Sequence, residues 1–106
     1  MPKYLIKANY TQSGLQGLMA KGAASRVNAI HELVASGGGT VEGIHYAFGD
    51  TDLYVIVDMP DDEAATAAAL TVGAAGAATG ETVKLLTPEQ VDEAIGRTIT
   101  YRPPGS

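Results

Sequence analysis

Histidine is the side chain whose charge changes closest to neutral pH, and this chain has two, His31 and His45. His45 is the better candidate for chemistry, as a proton carrier or an axial ligand. The competing reading makes it a structural or partly exposed residue on an outer strand. His31 lies between Ile30 and Glu32 in a helical pattern and reads as solvent-exposed. The two histidines do not make a metal site, because no close-spaced carboxylate or further histidine completes a ligand set. Asp50 and Asp52 resemble a catalytic carboxylate pair. In a Gly-Asp-Thr-Asp turn, however, such side chains more often bond to the backbone. Asp61, Asp62 and Glu63 read as a helix start, placed well against the helix dipole. Ser13 and Ser25 have no G-x-S-x-G pattern around them. Gly37-Gly38-Gly39 follows a helical segment, whereas a phosphate-binding loop must lead into one. With no cysteine, disulfides, thiolate chemistry and Cys-ligated metals are excluded. No cofactor is expected, and no motif carries an identifiable reaction.

The bulk properties narrow the partners. A chain of 106 residues fits one domain with a modest core. Its 45% hydrophobic and 18% charged content is that of an ordinary globular protein. The net charge is −5 and the lysines and arginines are scattered singly, so a nucleic-acid partner is not expected. MPKYLIKANY lacks the organisation of a signal peptide, and no apolar run reaches membrane-spanning length. A membrane partner is therefore not expected, and the cytoplasm is the default location.

The elements that must position these side chains follow from periodicity and punctuation. Lys3 to Tyr10 alternates as a strand, with Tyr4, Ile6, Ala8 and Tyr10 on one side and Leu5, Lys7 and Asn9 on the other. Thr11 is a helix cap, but Gly14, Gly17 and Gly22 predict only a short, irregular helical segment after it. A regular helix is predicted over Ala23 to Ser36, with Val27, Ile30, Leu33 and Val34 buried and Arg26, Asn28 and Glu32 facing water. The three glycines end it. Strands are predicted over Thr40 to Phe48 and Asp52 to Met59, joined as a hairpin. Pro60 stops the second of them, and Asp61 caps a helix of mostly alanine from Ala64 to Ala75. Its small side chains allow close approach to a sheet but bury little area. Glu81 to Leu86 reads as a fourth strand. Thr87-Pro88-Glu89-Gln90 is a strong helix start, and Pro103-Pro104 implies an extended arm over residues 98–106 of a single domain spanning 1–106. The order β-α-β-β-α-β plus a terminal helix is the α+β, ferredoxin-like plan: a four-stranded antiparallel sheet with two helices on one face.

The hairpin parity sorts the faces. An even-numbered loop pairs Tyr46 with an odd-numbered residue such as Leu53 or Val55, putting Ile44, Tyr46 and Phe48 with Leu53, Val55 and Val57 under the helices. The opposite face then collects His45, Tyr54, Ile56 and Asp58, joined by Lys7 and Asn9. Lys7, Asn9, His45, Tyr54 and Asp58 are the candidate ligand pocket. Because Leu53 to Met59 is apolar on both sides, both sides need cover. Two helices cover one, and a second copy of the chain is the simplest cover for the other.

Several segments, in order and spanning the chain, resemble one family: PKYLIKANYT, the Arg26-containing helix ending in the glycine run, FGDTDLYVIVDMPDD, LLTPEQVDEAI and YRPPG. They resemble the GYD-domain proteins, small bacterial members of the dimeric ferredoxin-like α+β barrel group. One departure falls in the signature turn, where Thr51 replaces the usual tyrosine while Gly49 and Asp52 remain. The resemblance implies the fold and a homo-oligomer, but brings no established activity. The leading expectation is a non-enzymatic homo-oligomer, a homodimer or larger, that binds a small apolar or aromatic molecule in a cavity between subunits. The alternatives are a cofactor-independent monooxygenase-like or haem-handling enzyme using Asn9, His45 and Tyr54, and a structural or regulatory subunit.

Overall fold

A computed structural model describes residues 1–105. The expected single domain (1–106) and terminal arm (98–106) both extend to Ser106, which lies outside the described residues. The strands are β1 (Lys3–Tyr10), β2 (Thr40–Tyr46), β3 (Leu53–Asp58) and β4 (Ala78–Leu85); the helices are α1 (Gln12–Lys21), α2 (Ala23–Ser36), α3 (Asp62–Ala75) and α4 (Pro88–Ile95). They form one antiparallel sheet in the order β2-β3-β1-β4. The fold is α+β and ferredoxin-like, with an additional helix, α1, between β1 and α2.

The core follows from strand parity. Tyr4 pairs with Val57, Ile6 with Val55 and Ala8 with Leu53, while Ile44 lies opposite Val55 and Tyr46 opposite Leu53. This is the face assignment that the hairpin predicts. Tyr4, Val55, Val57 and Met59 are buried on the helix side, together with Val34 and Ala65. A bulge between Val41 and Gly43 adds one residue to β2. Without it, Val41 and Ile44, three positions apart, would point to opposite faces; with it, both pack against the core.

Several element boundaries differ from expectation. Strand β2 ends at Tyr46, and Phe48 is fully exposed in the connecting loop instead of joining the core face. Strand β4 starts three residues earlier than its own propensity suggests, because Ala78, Thr79 and Gly80 pair in register with Tyr10, Asn9 and Ala8. Helix α1 is a full ten-residue helix. Gly14, expected to weaken it, is buried, and a Cβ there would run into the Ala77 carbonyl oxygen. That glycine therefore serves close packing.

Helix α4 has a formed capping box: the Thr87 side chain accepts from the Gln90 N–H, and Gln90 accepts from the Thr87 N–H at 2.8 Å. Yet none of its residues is buried, and Ile95 is 75% and Ile99 beyond it 82% exposed. The molecule is elongated, 58 × 33 × 23 Å, with a radius of gyration of 17.1 Å. About 13 Å is usual for a compact domain of this length.

Candidate functional site

The five residues expected to line a pocket lie on the sheet face away from the α1–α3 layer. Strand pairing arranges that face in rows. Gly43, Ile56, Leu5 and Val83 cross the sheet as one row, apolar apart from the glycine. On one side of it run His45, Tyr54, Lys7 and Glu81, and on the other Thr40, Asp58, Lys3 and Leu85. Leu5, Ile56, Val83 and Leu85 are half-buried and have no layer of helices above them.

Each polar side chain in these rows has a definable environment. His45 is exposed, and its imidazole leans over Gly43. Lys7 reaches Glu81 at 3.9 Å. Asp58 accepts from Lys3 at 3.0 Å, and the bulge residue Glu42 shares the same ammonium. Asn9 accepts the Asp52 N–H at 2.8 Å, while the Asp52 carboxylate accepts the Tyr10 N–H at 3.0 Å. Asn9 and Asp52 thus latch the hairpin end to β1, the backbone role that the turn sequence suggests for Asp52. The structure brings His45, Tyr54 and Lys7 into one cross-strand row, with Asn9 at the sheet end and Asp58 on the opposite side of the apolar row.

The helix side holds a feature that sequence reasoning missed. Between α2, α3 and the sheet lies a cavity of about 210 Å³, with Ile30 and Leu33 on one wall, Ala68, Ala69 and Val72 on another, and Ile6 on the floor. Its origin is the alanine-rich helix. Ala65, Ala68, Ala69 and Val72 recur at helical spacing toward the sheet, and their small side chains leave space unfilled where close approach was expected.

Arg26 stands at the edge of this cavity. It was expected to face water, but it is half-buried and its Nε is enclosed with no hydrogen-bond partner among the described residues. The signal was present in the spacing, since Arg26, Ala29, Ile30, Leu33 and Val34 fall at i, i+3, i+4, i+7 and i+8 on one helical stripe. Tyr10 shares the edge. Its hydroxyl lies 3.2 Å from that of Tyr46, with the rings stacked at 6.4 Å. Burial, and then this hydrogen bond, push the Tyr46 phenol up to about 12, with the nearby Arg26 charge acting in the opposite sense. A more polar cleft adjoins the cavity, sharing Tyr10, Arg26 and Ala29 with it and adding Lys21, Ser13 and Ser25.

A separate polar junction ties α3 to the sheet. The Tyr4 hydroxyl donates to the Asp62 carboxylate, which also accepts from Lys84 at 3.2 Å. The bond to Asp62, with burial, pushes the Tyr4 phenol up to about 12. The Tyr4 and Lys84 bonds hold the Asp62 carboxyl below the usual carboxylate range.

Residues 4–95 match the family model of the GYD domain, and the chain belongs to the GYD-domain family. Neither a curated protein nor a solved structure gives a match. Among the described residues, no helix is long and apolar enough to cross a membrane.

Proposed function

We propose that this GYD domain works as a self-associating binding protein for a small apolar or aromatic molecule, two copies packing through their open sheet faces. The observation that carries this reading is the uncovered row of Leu5, Ile56 and Val83, flanked by half-buried Tyr54 and Leu85. An apolar row of this kind, bordered by Lys3–Asp58 and Lys7–Glu81 pairs, suits an interface with a dry centre and a polar rim. Helix α4 supports the same partner. An eight-residue helix has little stability of its own, and its face of Val91 and Ile95 stays exposed among the described residues. A second copy covers both surfaces at once, and together they suit an interface on the order of 2,000 Å².

In this arrangement Lys7, Asn9, His45, Tyr54 and Asp58 line the space between subunits, and a bound molecule lies along the His45–Tyr54–Lys7 row. The test compares histidines. His45→Ala should weaken binding of a hydrophobic dye by about tenfold, the loss of one buried hydrogen-bond partner, whereas His31→Ala on the exposed face of α2 should leave it unchanged. Equal behaviour of the two variants would remove His45 from the pocket.

A further inference from the structure

We propose that the cavity between α2, α3 and the sheet is a binding site for a small amphipathic carboxylate, its apolar body against the alanines of α3 and its anionic head at Arg26 and Tyr10. This site lies on the opposite side of the sheet from the subunit interface and is complete within one chain.

Size and lining set the apolar part. A cavity of about 210 Å³ exceeds the roughly 150 Å³ of an apolar cavity that accepts benzene. It is therefore large enough for a single aromatic ring with a short side chain. Its walls are mostly aliphatic, from Ile6, Ile30, Leu33 and Val72, with Tyr4 and Thr82 also in the lining.

The head group follows from Arg26. Lys3, Lys7, Lys84 and Arg97 each reach a carboxylate; among the described residues Arg102, in the tail, has no ion pair, and neither do Arg26 and Lys21. Arg26 and Lys21 both border the cleft that adjoins the cavity. In a chain of net charge −5, two unpaired cations beside one opening favour an anion there. An enclosed guanidinium N–H without an acceptor is uncommon, and its planar donor fork matches a carboxylate. The Tyr10 hydroxyl, which borders the same edge, supplies a second neutral donor. A few polar groups at one end of an apolar pocket fix a ligand's orientation.

The experiment titrates the full chain with 3-phenylpropionate and with its neutral counterpart 3-phenylpropan-1-ol at pH 7, following methyl resonances by NMR. The acid should bind at least tenfold tighter than the alcohol. Both should shift the methyls of Ile6, Ile30 and Val72 and leave those of Leu5 and Ile56 on the open face in place. Arg26→Met, which keeps the stem and removes the charge, should bring the acid down to the affinity of the alcohol. Ala68→Leu, which fills the cavity, should lose both. Equal affinity of the native protein for acid and alcohol overturns the proposal, as does no binding of either or a shift confined to the open-face methyls. These native-protein outcomes decide the matter even if a variant does not fold.

Discussion

Gly14 and Gly17 lie one turn apart on α1 and differ in what surrounds them. A Cβ at Gly14 meets the Ala77 carbonyl, while one at Gly17 has nothing within 4 Å. Gly14→Ala should therefore destabilise the protein by about 1–3 kcal/mol through overpacking. Gly17→Ala should stabilise it by about 0.5–1 kcal/mol through helix propensity. Urea denaturation of the two variants measures both signs. Sequence alone presented these glycines as equivalent helix breakers, because the distinguishing contact comes from a segment more than sixty positions away. Arg26 was hidden for a different reason. Its spacing placed it on the buried stripe, but its charge argued for water, and charge usually decides such cases. The residues of the open face were legible, since hairpin parity put His45, Tyr54 and Asp58 on one side once the loop was counted as even, and Lys7 joined them as an unlikely tenant of the core.

Among the elements, α3 is held to the sheet by the Tyr4–Asp62–Lys84 junction, and this attachment should depend on pH. The Asp62 carboxyl is held low by the hydrogen bond from Tyr4 and then by Lys84. A group with a depressed folded value contributes stability that is full above its unfolded value of about 3.9. That contribution is lost as pH falls through the folded value. Tyr4 acts in the opposite direction. Raised to about 12, it contributes fully below its unfolded value of about 10 and loses its contribution as pH rises toward 12. Asp62→Asn should flatten the acid limb of the stability curve between pH 2 and 5, as read by thermal melts. An acid limb identical to that of the native protein would place the linkage in other carboxylates. Helix α4 offers a second test. Its capping box was readable directly from Thr87-Pro88-Glu89-Gln90, but its lack of cover among the described residues was not, because amphipathic periodicity marks an apolar face without naming what lies against it. If a second copy covers it, Thr87→Ala should lower global stability by about 1 kcal/mol. A helix projecting into water would leave the melting transition unchanged.

For the whole molecule, the four-stranded antiparallel sheet was legible from strand alternation and turn signals, and the run Leu53 to Met59 marked β3 as apolar on both faces. What covers its second face is the question on which the proposed function turns. Ile56 lies in the middle of the open row, between Leu5 and Gly43. Ile56→Lys should place a charge in a dry interface and dissociate or unfold the protein, since an unpaired buried charge costs several kcal/mol. On a free surface the same change would be nearly neutral. The native chain itself gives the most direct test, by sedimentation equilibrium at micromolar concentration. Self-association through the open face predicts a mass of twice the 10.9 kDa of one chain, or a larger even multiple. A single species of 10.9 kDa would contradict it.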